Sequence, residues 1–156
     1  MIEPHSILLI CTANQCRSPM AEALLKRDLF EKYPKTAWEV ESAGTWAEPG
    51  HPATPFGVKA MAEFGLDTSN HKSRVVTSEL VSRFQLILTM ENGHKEAIQI
   101  EFPDLAERVF LLSEMSGENV EVADPVGGSF LDYQNTAKEI EKWIERGLPK
   151  IVELSG

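Results

Sequence analysis

A chain of 156 residues, 42% of them hydrophobic, is long enough to form a single domain over residues 1–156 with its own core. Its 24 acidic residues outnumber 15 lysines and arginines, and the resulting net charge of -9 has the wrong sign for binding nucleic acid or an anionic membrane surface. The longest apolar runs are much shorter than the ~18 residues of a membrane span, and the first residues lack the basic start of a signal peptide. We therefore expect a cytoplasmic protein with no nucleic-acid or membrane partner.

Four short runs rich in Ile, Val, Leu and Phe predict buried strands, and apolar residues at helical spacing predict helices between them. The strands are expected at 6–11, 38–42, 84–89 and 108–112. The helices are expected at 18–33, 54–64, 77–83 and 91–100, followed by a long final helix. Ser18 suits the cap of the first helix, and Pro149 should kink or end the last one. The alternation predicts an α/β fold of three layers, a parallel sheet with helices on both faces.

The segment between the first strand and the first helix contains both cysteines of the chain, Cys11 and Cys16. Ligands of such sheets bind beyond the C-terminal ends of the strands, where Cys11 lies. A loop of this length before a helix N-terminus can direct backbone N–H groups at a tetrahedral oxyanion such as phosphate. The same field favours the thiolate form of Cys11, which is the nucleophilic form. Arg17 can hold two phosphate oxygens at once with its planar guanidinium.

Other interpretations of these residues are structural. A free cysteine is commonly a buried core residue, and a serine before a helix is commonly only a cap. The catalytic interpretation is favoured because Cys, Arg and Ser occur together between a strand and a helix. The segment lacks GxxxxGK[ST], which excludes a nucleotide P-loop. No metal is expected, because the spacing of the four histidines is not that of a metal site (His5, His51, His71 and His94).

The segment CTANQCRSP at residues 11–19 resembles the low-molecular-weight protein tyrosine phosphatases, whose hallmark is C-x5-R-[ST] near the N-terminus. The resemblance covers essentially the whole chain and includes SAGT at 42–45 and the later pair Asp124-Pro125. It implies a four-stranded parallel sheet with a phosphate-binding loop after the first strand. It also implies hydrolysis of phosphotyrosine in phosphorylated proteins through a phosphocysteine, without metal or cofactor, by a monomer or weak dimer.

The resemblance implies a role for each site residue. Cys11 would be the nucleophile, Arg17 would bind the phosphoryl group, and Ser18 would hydrogen-bond the thiolate. Asp124 would protonate the leaving group and then activate water, and oxidation would link Cys11 to Cys16 in a reversible, redox-regulated way. The residues expected to line the substrate site are Thr12, Ala13, Asn14, Gln15, Cys16, Trp46 and Val126. Ser42 and His71 are expected to support the loop through Asn14.

Three departures from the family pattern leave other functions open: Ala13 replaces the usual Gly, Gln15 a common Ile, and Val126 a common aromatic residue. A phosphoarginine phosphatase is the nearest alternative, because some bacterial members have that activity and share the Asp-Pro-x-Gly-Gly-Ser pattern of residues 124–129. An arsenate reductase is less favoured, since no cysteine follows Cys16. A phosphocysteine carrier or a non-catalytic phosphate-binding module would keep the loop but would not need Asp124.

Overall fold

Four parallel strands form one sheet in the computed structural model, which describes residues 3–156. The strands are β1 (His5–Cys11), β2 (Trp38–Gly44), β3 (Leu86–Thr89) and β4 (Val109–Leu111), in the order β2-β1-β3-β4. The predicted parallel sheet is confirmed, with β3 starting two residues later than expected. Since the chain moves from β1 outward to β2 and then crosses to β3 on the other side, the strand order reverses direction next to β1. A reversal of this kind opens a crevice at the C-terminal strand ends.

Helices cover both faces of the sheet, as the alternating pattern predicted. They are α1 (Arg17–Lys32), α2 (Pro55–Ala62), α3 (Ser78–Ser82), α4 (Asn92–Glu101) and α5 (Phe130–Ser155), with short 3-10 helices at Pro103–Arg108 and Leu112–Ser116. Across residues 3–156, no helix combines the length and apolar character that crossing a bilayer requires.

Two hydrophobic cores enclose the sheet, because alternate residues of each strand point to opposite faces. On β1, Ile7 and Leu9 pack with α1, α2 and α5, while Leu8 and Ile10 pack with α3 and α4. All four side chains are fully buried. The central strand is therefore rigid up to its last residue, Cys11, which makes its C-terminal end a well-defined platform for a reactive group.

The sequence predicts that the last helix kinks or ends at Pro149. The helix does not end there but continues to Ser155. Ile151 and Ser155 are fully buried, and Ser155 Oγ lies 3.2 Å from Nδ1 of His5 at the start of β1. Burial of the last turn against the sheet offsets the backbone hydrogen bond that proline cannot donate.

Candidate active site

The loop between β1 and α1, residues 11–17, turns at Asn14, and we call it the phosphate loop. Asn14 has φ 57, in the left-handed region that asparagine tolerates better than most residues. Its fully buried side chain holds this conformation, because Nδ2 donates to Ser42 Oγ at 2.9 Å and to Ser18 Oγ at 2.8 Å. Its Oδ1 accepts the Arg74 backbone N–H at 3.0 Å. The neighbouring Ala13 has no positive φ, so alanine in place of the family glycine introduces no backbone strain there.

Two residues outside the phosphate loop fix its position. His71 Nε2 donates to the backbone carbonyl of Asn14 at 2.6 Å, and a carbonyl can only accept, so this nitrogen carries the proton. Gly44, at the end of β2, allows a close approach, because a Cβ there would lie 2.3 Å from the carbonyl oxygen of Thr12. The structure thus brings together Asn14, Ser42 and His71, the three residues expected to support the loop.

Cys11 lies at the end of β1, with only 2% of its surface exposed. Its sulfur is 3.0 Å from Ser18 Oγ and 3.4 Å from the Ser18 backbone N–H. Ser18 is therefore not the helix cap that the sequence predicted. The helix α1 begins at Arg17 with Cys16 at its N-cap, and Ser18 sits inside the first turn. Its side chain is consequently free to face the sulfur instead of the helix end.

Arg17 is 1% exposed and is held rigidly on one side of its guanidinium. Nη1 donates to the carboxylate of Glu91 and to the carbonyl oxygen of Val122, the latter at 2.8 Å. Nη2 lies 3.4 Å from Thr12 Oγ1 and 3.6 Å from Asp124 Oδ2. Nε is buried and has no hydrogen-bond partner within residues 3–156. Buried donors are normally paired, so the unpaired Nε is a candidate donor to an oxyanion.

Cys16 differs chemically from Cys11 although both belong to the phosphate loop. Burial, followed by the negative charges of Asp124 and Cys11, raises the pKa of the Cys16 thiol to about 12. Cys16 is therefore a protonated thiol at neutral pH, and a thiol is a poor nucleophile. This leaves Cys11 as the nucleophile of the pair.

Asp124 stands at the opening of the site on the loop before α5. Its side chain is 43% exposed, and Oδ1 accepts the backbone N–H of Val126 at 3.0 Å. This short turn directs the other carboxylate oxygen, Oδ2, towards Arg17. An accessible carboxyl group that lines the same cavity as Cys11 can exchange protons with both a leaving group and water.

The cavity at the phosphate loop has a volume of about 190 Å³. Its walls are formed by Cys11, Thr12, Ala13, Gln15, Cys16, Arg17, Thr54, Asp124 and Val126. Sequence reasoning missed Thr54, whose backbone N–H donates to the Gln15 carbonyl at 2.8 Å and whose Oγ1 is buried without a partner in the described chain. Trp46 was expected to line this site. Its backbone N–H donates to the Thr12 carbonyl at 2.9 Å, but its side chain is 84% exposed and lies outside the cavity wall.

Two further residues that sequence reasoning missed, Glu91 and His94, lie at the N-terminus of α4. Glu91 is the N-cap and binds Arg17, and His94 is buried with Nε2 2.9 Å from Thr12 Oγ1. Burial and then the charge of Arg17 lower the pKa of His94 below its usual 6.5. The sequence contained one signal for these two residues, because Glu91 lies just beyond the end of β3 and three residues before His94.

Within residues 3–156, no group of three or more His, Cys, Asp or Glu side chains has a metal-binding arrangement.

One cavity is lined by a strand-end cysteine, by an arginine six residues later with an unpaired Nε, and by a carboxyl group, and this is the set of groups that a cysteine-dependent phosphatase requires. The family model for the low molecular weight phosphotyrosine protein phosphatases matches residues 6–153, and the chain belongs to this family. It is therefore a phosphomonoester hydrolase with a cysteine nucleophile.

The relatives of this chain include proteins named as tyrosine phosphatases and proteins named as arginine phosphatases. The chain is 38% identical to the probable low molecular weight protein-tyrosine-phosphatase EpsP of Ralstonia nicotianae, over 94% of this chain and 95% of that protein. It is 39% identical to a protein-arginine-phosphatase of Bacillus subtilis, over 90% of this chain and 92% of that one. The crystal structure of a YwlE mutant from Bacillus subtilis superposes with a TM-score of 0.86 at 38% identity, covering 95% of this chain and 98% of that chain.

Proposed function

We propose that this protein hydrolyses phosphotyrosine in phosphorylated proteins through a phosphocysteine on Cys11. The observation that carries the proposal is the placement of Arg17, a buried guanidinium that is fixed through Nη1, lines the cavity of Cys11 and has no hydrogen-bond partner for Nε in the described chain. A planar edge with two donors matches two oxygens of a phosphoryl group. The third phosphoryl oxygen would meet backbone N–H groups at the N-terminus of α1, where the helix dipole favours negative charge.

In the first step, Cys11 Sγ attacks phosphorus while the bond from phosphorus to the tyrosine oxygen breaks. Asp124 gives its proton to that oxygen, so the leaving group departs as a neutral phenol. Arg17 neutralises the charge that develops on the phosphoryl oxygens. The products of this step are phosphocysteine, Asp124 carboxylate and the dephosphorylated protein.

In the second step, the Asp124 carboxylate takes a proton from a water molecule whose oxygen attacks phosphorus. The S–P bond breaks, and its electron pair returns to Cys11 as a thiolate. Ser18 lies within 3.0 Å of the sulfur and stabilises this leaving group. Release of inorganic phosphate restores the starting protonation states of both residues.

The burial of Cys11 supports an extended phosphorylated side chain as substrate. Cys11 lines the cavity and is only 2% exposed, so the phosphorus atom must enter the cavity to reach the sulfur while the peptide backbone stays outside. Phosphotyrosine is long enough, and the shorter phosphoserine is not. Val126 offers an apolar surface to the aromatic ring.

Phosphoarginine is also long enough, and one observation favours it as a second candidate. Gln15 lines the cavity, and its side-chain amide is suited to hydrogen-bond a planar guanidinium. Asp124 would then protonate a departing nitrogen in place of a phenol oxygen. The substrate assay below distinguishes the two activities.

The test compares kcat/KM on matched peptides carrying phosphotyrosine, phosphoarginine or phosphoserine, with a chelator present. We expect the parent to prefer phosphotyrosine, and both Gln15→Ile and Val126→Tyr to increase that preference. Gln85→Ile, the same change at an exposed position away from the cavity, should leave it as in the parent. A parent that is about tenfold or more faster on phosphoarginine, a discrimination of about 1.4 kcal/mol, would overturn the phosphotyrosine proposal. Phosphate binding without turnover on any peptide would indicate a binding module instead.

A further inference from the structure

The hydrogen-bond network on the α4 side of the site determines the tautomer of His94. The backbone N–H of Glu91 donates to Nδ1 of His94 at 3.2 Å. A backbone N–H can only donate, so Nδ1 is unprotonated and the neutral ring carries its proton on Nε2. Burial and the charge of Arg17, which lower the pKa of His94, favour this neutral form at pH 7. His94 Nε2–H therefore donates to Thr12 Oγ1, 2.9 Å away.

This tautomer restricts the direction in which the Thr12 hydroxyl can donate its hydrogen. Thr12 Oγ1 accepts from His94 Nε2 at 2.9 Å and from Arg17 Nη2 at 3.4 Å. A hydroxyl oxygen has two acceptor positions, and both are occupied. Its own hydrogen must point elsewhere, and Thr12 lines the cavity that contains Cys11. Within residues 3–156, no acceptor is paired with this hydrogen besides the ring nitrogen that the tautomer excludes.

We propose that Thr12 donates its hydroxyl hydrogen to a phosphoryl oxygen of the substrate and that His94 is the positioning residue that aims it there. The inference rests on the proposed function for the identity of the anion. It adds one side-chain donor to the site beyond Arg17 and the backbone. The acceptor would be a phosphoryl oxygen bound by Arg17 Nη2, because Nη2 is adjacent to Thr12 Oγ1 and both residues line the cavity of Cys11.

Asp124 is the competing acceptor, since its Oδ2 lies 3.6 Å from the same Nη2. Donation to Asp124 would favour its carboxylate form and oppose its role as an acid in the first step. The two acceptors give different experimental results. Donation to phosphate strengthens binding of the anion itself, whereas donation to Asp124 changes the pH profile of kcat and leaves anion affinity unaltered.

The experiment measures the Kd of inorganic phosphate by calorimetry, which needs no turnover. Thr12→Val keeps the shape of the side chain and removes the donor, so we expect Kd to rise about tenfold, as for the loss of one hydrogen bond to a charged group. Thr12→Ser should recover most of that loss. His94→Leu should also raise Kd, because leucine fills a similar space but has no N–H with which to donate to Thr12 Oγ1.

The double variant of Thr12→Val and His94→Leu separates positioning from a general structural effect. If His94 acts through Thr12, the double variant should bind phosphate no more weakly than Thr12→Val alone. Glu96→Gln, on the exposed side of the same helix, serves as the control and should bind as the parent does. Thermal unfolding of each variant identifies any that lose affinity by failing to fold, and His94→Leu supplies the second route to the same answer.

Two results would overturn this inference. One is a Kd for Thr12→Val within about twofold of the parent, a difference below 1 kcal/mol, with a shifted pH profile of kcat, which would assign the hydroxyl to Asp124. The other is an additive loss in the double variant, which would make His94 a structural residue. If instead the parent binds phosphate with the expected pattern but hydrolyses no phosphopeptide, the proposed function fails and the assignment of Thr12 as an anion ligand stands.

Discussion

Ser18 Oγ lies 3.0 Å from Cys11 Sγ, and this contact joins the first residue of the phosphate loop to the first turn of α1. Asn14 Nδ2 donates to the same hydroxyl at 2.8 Å, which leaves the hydroxyl hydrogen free to point at the sulfur. A thiolate gains more from such a donor than a thiol or a phosphocysteine does. The contact therefore favours the second step, in which the S–P bond breaks and Cys11 leaves phosphorus as a thiolate.

Ser18→Ala should slow breakdown of the phosphocysteine more than its formation. Loss of one hydrogen bond to a charged sulfur should reduce kcat about tenfold to a hundredfold. Rapid-mixing assays with p-nitrophenyl phosphate should then show a burst of nitrophenol equal to the enzyme concentration. Ser82→Ala, at an exposed serine outside the site, is the control and should behave as the parent. A parent-like kcat with no burst in Ser18→Ala would show that Ser18 does not assist the leaving thiolate.

Asp124→Asn should reduce kcat strongly on a phosphotyrosine peptide and much less on an aryl phosphate with an acidic phenol. Asparagine can still accept the backbone N–H of Val126, so the turn is preserved while the transferable proton is lost. The proton matters most when the leaving oxygen is basic. Steady-state assays over a series of substituted phenyl phosphates measure this dependence, with Asp104→Asn at an exposed site as control. Equal losses across the series would instead assign Asp124 a structural role.

Mild peroxide should inactivate the enzyme reversibly by linking Cys11 to Cys16. Burial and the charge of Asp124 keep the pKa of the Cys16 thiol raised. Oxidation of Cys11 to the sulfenic acid removes the smallest of the three raising contributions, the charge of Cys11, so the Cys16 thiolate becomes less unfavourable. Cys16 can then attack the sulfenic sulfur, release water and form the disulfide, which a thiol reductant reverses. Peptide mass spectrometry identifies the link. Cys16→Ser should lose activity irreversibly under the same exposure, and full recovery of that variant would remove the proposed role of Cys16.

The stability of the fold should depend on the protonation of His94. Its pKa in the folded state is below the usual 6.5, so the neutral ring is favoured by folding. Above pH 6.5 both folded and unfolded states are neutral and the contribution is complete. As the pH falls below that value, the unfolded state binds a proton first and the free energy of unfolding decreases. Urea titrations from pH 7 to about 5 should show a steeper decrease for the parent than for His94→Gln. If the free energy of unfolding decreased equally with pH in the parent and in His94→Gln, the result would contradict the burial of a neutral ring.

The parts of the site that were predictable from the sequence are those contiguous along the chain. Cys11 and Arg17 are six residues apart on one loop, and the strand before it and the helix after it both have strong apolar patterns. The distinctive spacing therefore selected Cys11 and Arg17 as the candidate nucleophile and phosphate ligand, and the structure places both at one cavity. The same local reasoning failed for Ser18, because a serine at a helix start suits a cap and a sulfur contact equally well.

Several site residues were not predicted from the sequence, because the order of the strands in the sheet brings them to the site. Glu91 and His94 follow β3, which lies beside β1 only because the chain crosses the sheet after β2. Thr54 enters through the connection to α2. No local pattern encodes these approaches, since they depend on packing between segments far apart in the chain. Trp46 is the opposite case, a residue that was predicted to line the site but does not. It is close in sequence to a site motif, yet its side chain lies outside the cavity.

The central claim is that phosphate passes through a covalent bond to Cys11. Its most direct test is acid quenching of the enzyme during turnover of a phosphotyrosine peptide, followed by mass spectrometry of the proteolytic fragments. We expect one added phosphoryl group, located on Cys11, at a level that rises in Ser18→Ala and disappears in Cys11→Ala. Turnover without phosphate on any residue, or with phosphate on a residue other than Cys11, would contradict the account.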